Sequence, residues 1–401
     1  MMPNLRHPEP EEVPHPIIWN EVPSSGDLTR IIAVDGSKST QTFSKWPFGK
    51  YTLLNLAVVD LEWEKLKQST EYPDPQKYNQ QIYDSAEFFG TILPLRHLQW
   101  ETLNTYNSIR KIVFATLKEQ HNEELLTTLK WLGFEMWGSK KCFLPNFKCP
   151  HCDFTKATIP YNKEVGKCGG CGKEVYLTDY LGMHLRMTDD GGSEALADEF
   201  LLILETLSLF NKVRKIWEGD KKQFAKILFL KDGPLQFRAH YTKLTDRIRN
   251  FFEFAKKSGV QVFMVGQEKS GLFCDHLYLV GRDAQNNSYF VPDNKYIQKD
   301  IHQIPNMPPY GKWGNYGVKV FVSFSPKEQM VLTIPTGLYK NNPKFEHLIG
   351  GPQILNTIKK MRSSRYLGGI VPISIAHGLA SLSQNPSGPI LDRFSKNEFS
   401  N

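Results

Sequence analysis

Residues 30–40 read RIIAVDGSKST. The run Ile31, Ile32, Ala33, Val34 has the pattern of a buried strand, and it meets Asp35, Gly36 and Ser37 at its end. A buried strand that delivers a carboxylate at its tip, with a glycine allowing a tight exit, is how an α/β sheet presents a rigid metal ligand. Residues 225–235, AKILFLKDGPL, repeat the design and end at Asp232 and Gly233. Two such tips lying side by side would hold two carboxylates over one cation. Each Asp-Gly taken alone reads equally well as a turn after a strand, because Asp and Gly dominate turns. The pair becomes a site only if other parts of the chain add acids and a histidine.

Composition sets the outer bounds. With 401 residues the chain has room for one large domain with insertions, or for two domains. A content of 40% hydrophobic and 23% charged residues is that of an ordinary globular protein. No run approaches the roughly 20 apolar residues of a membrane span, and the N-terminus lacks a basic segment followed by an apolar core. A cytoplasmic protein with no membrane segment is therefore expected. The net charge of +7 suits an anionic partner without requiring one.

Four of the six cysteines form two CxxC pairs, CPHC at Cys149 and Cys152 and CGGC at Cys168 and Cys171, while Cys142 and Cys274 stand apart. Residues 140–175 around them are short, polar and lysine-rich. Four thiolates at this spacing can close a tetrahedron around Zn²⁺, and a closed shell makes the site structural. An iron–sulfur cluster is the competing occupant. His151, inside the first pair, is expected to be exposed and not a ligand, since four sulfurs already complete the set. Lys148, Lys156, Lys163, Lys167 and Lys173 make this ribbon basic, either as a nucleic-acid contact or as a solvated face.

The remaining chain supplies scaffold and further candidates. Residues 1–16, with five prolines, are expected to form an exposed arm. Thr52 to Trp63 reads as a second strand, and residues 80–120 and 122–132 as helices whose crowded apolar face carries Phe88, Phe89, Ile92, Leu93, Leu95, Leu98 and Trp100. From Gly192 a long helix is expected, with Ser193 as N-cap. Glu205 lies within it in FLLILETLSLF, apolar on both sides, where an ionised carboxylate is costly unless a cation or hydrogen bonds compensate. Glu194, Asp198 and Glu199 sit in the first turns, where acids serve the helix dipole.

After Asp232, a basic helix over residues 239–257 and the strand in GVQVFMVGQEKSG complete a βαβ unit, with Lys269 just beyond the strand tip as a phosphate ligand or a solvated turn lysine. Asp275 and His276 are expected to stand behind the site at most. Residues 282–316 read as loop, GVKVFVSFS and QMVLTIPTG as an antiparallel hairpin, and residues 350–382 as a basic helix followed by a helix bearing His377 among small neighbours. In isolation His377 reads equally as a core histidine.

Taken together, AVDGS at 33–37, the buried Glu205, KDGPL at 231–235, EKSG at 268–271 and AHGLA at 376–380 resemble the NurA nuclease family in order and kind. The resemblance spans residues 30–382. It implies an RNase H-like mixed sheet flanked by helices, a homodimer, manganese-dependent cleavage of DNA ends, and association with a HerA-type hexameric ATPase that translocates DNA. The family's catalytic positions map to Asp35, Glu205, Asp232 and His377. Two features depart from the pattern: the four-cysteine zinc ribbon looks like an insertion into the minimal core, and a tyrosine the family often has before its final histidine has no counterpart in GGIVPISIAH. The expected organisation is an arm (1–27), a first part of the core domain (28–139), the ribbon (140–178), a second part of the core (179–385) and a tail (386–401).

The expected activity is metal-assisted phosphodiester hydrolysis at DNA ends with little sequence preference. Asp35, Glu205, Asp232 and His377 would bind one or two Mn²⁺ or Mg²⁺, and basic groups on the 239–257 helix and near Lys359 would hold the phosphate backbone. By analogy the setting is DNA end processing and repair, or defence against phage. The competing readings are a non-catalytic zinc-ribbon DNA-binding or adaptor protein, and a ribonuclease or junction resolvase on the same fold.

Overall fold

The computed structural model of the chain describes residues 17–43, 48–67, 75–119, 124–237, 242–304, 306–363 and 369–381. The proline-rich start (1–16), the tail (386–401) and the first residues of the expected 239–257 helix lie outside the described residues. The first part of the chain forms β1 (Asn20–Glu21), β2 (Arg30–Thr42), β3 (Lys50–Glu62), α1 (Trp63–Lys67), α2 (Pro75–Asp84), β4 (Ala86–Arg96), α3 (Thr105–Glu119) and α4 (Glu124–Gly133). The cysteine ribbon follows with β5 (Val165–Lys167) and β6 (Glu174–Tyr176), then α5 (Glu194–Glu218), β7 (Ile227–Asp232), α6 (Lys243–Lys257), β8 (Phe263–Glu268) and α7 (Leu272–Val280). Last come β9 (Ser288–Phe290), α8 (Asn294–Tyr296), β10 (Val318–Ser325), β11 (Glu328–Ile334), α9 (Gly351–Lys360) and α10 (371–381).

Nine strands among the described residues form one mixed sheet in the order β1-β9-β10-β11-β8-β7-β2-β3-β4. At its centre β2, β7 and β8 run parallel, and the β7-α6-β8 unit is the βαβ crossover expected from the sequence. On either side the neighbours pair antiparallel, including the β10-β11 hairpin. The α/β class and the large mixed sheet flanked by helices are as expected.

Strand periodicity assigns each face. Along β2, Ile32 and Val34 join the apolar cluster built with α3, α4, α5 and α6, whereas Ile31 and Ala33 join the one built with α9 and α10. On β7, Ile227 and Phe229 face the first cluster, and Leu228 and Leu230 the second. The long helix α5 is apolar around most of its circumference because it is central: it packs on β2 and β3 beneath and against α4. Ser193 occupies its N-cap in extended geometry, but its hydroxyl makes no cap bond; its carbonyl receives Leu196 N–H instead.

Three expectations are corrected. Residues 86–96 are not helical: they form β4 at the sheet edge, paired antiparallel with β3. Gly90 and Pro94 both disfavour a helix, and Pro94, which has no N–H for a ladder, is tolerated on an edge strand beside a register shift. Strand β2 does not end at Asp35; it continues to Thr42, with Gly36 opposite Leu56. Residues 282–316 are not all loop, since β9 pairs with β1 and β10, and α8 runs on into a π-helical turn at Ile297–His302.

Candidate metal centres

The register that pairs Val34 with Lys231 sets the next residues of β2 and β7, Asp35 and Asp232, side by side. By the same alternation both belong on the face covered by α10, and α10 brings His377 to them. One ligand atom from each of Asp35, Asp232 and His377 lies within 4.8 Å of the others. His377 Nδ1 is 2.7 Å from Asp35 Oδ2, while Asp35 Oδ1 accepts the Gly36 N–H at 2.8 Å. If Nδ1–H donates in that contact, Nε2 keeps its lone pair. Asp232 Oδ2 accepts from Lys269 Nζ at 2.8 Å.

Asp35 is buried, and that burial, reinforced by the nearby charges of Asp232 and Glu205 and opposed by His377, lifts its carboxyl pKa from 3.8 to about 6. Two carboxylates and an imidazole of this kind suit a hard or borderline divalent cation, which would relieve the strain of holding the acids ionised together.

Gly36 has a different role from the one expected. It makes no turn; a Cβ there would lie 2.6 Å from Leu201 Cδ1 and 3.0 Å from Glu205 Oε1. The missing side chain lets α5 close onto β2 and brings the Glu205 carboxylate under the strand. Glu205 is buried as expected, but it does not join the three clustered ligands. Its Oε2 pairs with Lys231 Nζ at 2.5 Å, and the same ammonium donates to the Asp232 carbonyl at 3.0 Å. Lys231 was not singled out from the sequence, yet the signal was present: in ILFLKD a lysine stands where strand alternation demands a buried side chain.

Other candidates fall away. Asp275 is exposed, and His276 is buried against Tyr296 Oη at 2.8 Å. On α6, Arg247 binds Glu135 at 2.6 Å and the Phe143 carbonyl, while Arg249 binds the carbonyls of Gly311, Lys312 and Asn315. Those two arginines hold loops in place, so the expectation that this helix grips phosphates is not met by them. Lys269, read as a phosphate ligand or a solvated turn lysine, lies 2.8 Å from Asp232 Oδ2. A cleft of about 920 Å³ opens beside the cluster, lined among others by Lys269, Leu277, Tyr278, Lys327, Met330 and His377.

The four ribbon cysteines gather as expected, with their sulfurs within 4.8 Å of one another. Cys149 and Cys171 sulfurs are 3.9 Å apart, and those of Cys152 and Cys168 are 3.8 Å apart. Such separations exclude disulfides, whose sulfurs are about 2 Å apart. They match the roughly 3.8 Å edge of a tetrahedron with Zn–S bonds of about 2.3 Å. Backbone N–H groups of His151 and Gly170 point at Cys149 and Cys168 sulfurs, each at 3.3 Å. His151 is no ligand, but neither is it exposed: its Nε2 lies 2.9 Å from the Glu174 carbonyl oxygen and 3.2 Å from Arg110. Arg110 in turn grips Asp179 through two bonds of 2.9 and 2.7 Å, both side chains buried, and this pair fastens the ribbon's exit to α3.

No protein-family model matches the chain, and no curated protein matches it. Among solved structures it is similar to the NurA nuclease from Sulfolobus solfataricus, with 10% identity and a TM-score of 0.31 over 90% of this chain and 81% of that one. No described helix is long and apolar enough to cross a membrane.

Proposed function

We propose that the chain is a metal-dependent deoxyribonuclease that hydrolyses phosphodiester bonds at DNA ends with little base preference. The observation that carries the reading is the convergence of Asp35, Asp232 and His377, from two parallel strands and the last described helix, beside an open cleft. Asp35, Asp232 and His377 would hold a Mn²⁺ or Mg²⁺ ion. Such an ion supplies Lewis acidity to a phosphate oxygen and makes water a nucleophile at neutral pH.

The chain's own groups do the rest. Asp35, fixed by the Gly36 amide, orients the His377 ring, and with Nδ1–H so engaged Nε2 is the nitrogen that would face the ion. Lys269 and Lys327 line the cleft and would supply two positive charges to a phosphate there. Following the family resemblance, the partners in this reading are DNA, a second copy of the chain and a HerA-type hexameric ATPase, in end processing or defence against phage. The cysteine ribbon holds Zn²⁺ in a structural role.

The test is cleavage of end-labelled single- and double-stranded DNA with and without Mn²⁺. The wild-type chain should cut only with the ion, and Asp35→Asn or Asp232→Asn should lower the rate by roughly a thousandfold or more while the melting profile stays cooperative. DNA retention without metal-dependent cutting would favour the non-catalytic binding protein instead.

A further inference from the structure

The clustered ligands lie on one face of the sheet, and a buried ion pair lies on the other. Lys231 immediately precedes Asp232 on β7, so alternation turns its side chain to the α5 face, where it meets Glu205. Both side chains are sealed from solvent. The lysine Nζ lies 2.5 Å from Glu205 Oε2 and 3.0 Å from the Asp232 carbonyl oxygen. Its strand is paired on both sides, with β2 and with β8, so the backbone that carries the lysine is held in place.

We propose that the site is built for one divalent cation, the Glu205 carboxylate being held by the Lys231 ammonium and so withheld from any second ion. This rests on the nuclease reading above and deepens it. A second ion held by Glu205 would have to displace Lys231, whose ammonium already sits on the Glu205 carboxylate at 2.5 Å and on the Asp232 carbonyl at 3.0 Å. Glu205 then acts as a positioning residue: through the gap left by Gly36 its pair with Lys231 anchors the end of β7 under Asp35.

Stoichiometry decides the matter without DNA. Protein freed of divalent ions is titrated with Mn²⁺, and free Mn²⁺ is followed by electron paramagnetic resonance. One tightly bound Mn²⁺ per chain is expected, and none for Asp35→Asn. The double variant Glu205→Gln/Lys231→Met removes both charges together and leaves no unpaired buried ion. It should still bind one Mn²⁺, with affinity within about tenfold of wild type. Two ions of similar affinity on the wild-type chain, or loss of Mn²⁺ from the folded double variant, would overturn the proposal, the latter by making Glu205 a direct ligand. Tight binding of one ion with DNA left uncut would sink the nuclease reading alone, and a chain that binds no Mn²⁺ would sink both.

Discussion

A methyl group at position 36 would collide with Leu201 and press on the Glu205 carboxylate. Gly36→Ala should therefore cost about 1–3 kcal/mol as an overpacked contact, read as a lower melting temperature with the sheet intact. In sequence the same glycine looks like the exit from a strand, because the helix that requires the gap lies far along the chain. Asp35 carries a pH signature of its own. In the metal-free protein its carboxyl pKa stands near 6, above the 3.8 of an unperturbed carboxyl, so folding favours the protonated form. That contribution is complete below pH 4 and is lost as pH rises through 6, in total about 3 kcal/mol at about 1.4 kcal/mol per unit. Chelated wild-type protein should lose stability relative to Asp35→Asn across this window in chemical denaturation, and bound Mn²⁺ should reverse the slope, since it favours the carboxylate.

At the scale of elements, what was legible is what is local. The βαβ unit, the hairpin and the cysteine spacing each announce themselves within a few tens of residues, and all three are present. The edge strand β4 was not legible, because its apolar residues crowd together without clean alternation and its partner β3 decides its state. Nor could spacing reveal how the ribbon is seated: Phe147, Ala157 and Val175 share one apolar cluster with α3, α4 and α5, so the ribbon is part of the main core and not a pendant module. Arg110→Ala would leave Asp179 buried without its partner, at a cost of about 3–5 kcal/mol. Denaturant melts should show the loss, and thiol labelling of Cys149, buried in the native protein, should accelerate.

For the whole molecule, the net charge is +7, and the arginines Arg247 and Arg249 on α6 are already committed internally. Binding to DNA should then rest on a few lysines. For about three phosphate contacts, affinity should fall roughly 10- to 50-fold between about 50 and 200 mM salt, measurable by fluorescence anisotropy with the metal chelated. A much steeper slope would mean a larger contact surface than the cleft provides. Asp35 and Asp232 were legible as acids on buried strands, though Asp35 lies within β2 and not at its tip, and their separation from Glu205 was not legible, because it depends on which side of a sheet each residue faces.

Asp35 and His377 touch although 342 positions separate them. The second arrives only with α10, after every described strand of the sheet has been made. A ribosome that stalls, or a protease that clips before residue 371, therefore leaves a product able to assemble most of its framework while lacking the imidazole. If the proposed nuclease reading holds, this amounts to a safeguard, since such half-made copies would be harmless and the capacity to cut would wait on the helix that carries the histidine.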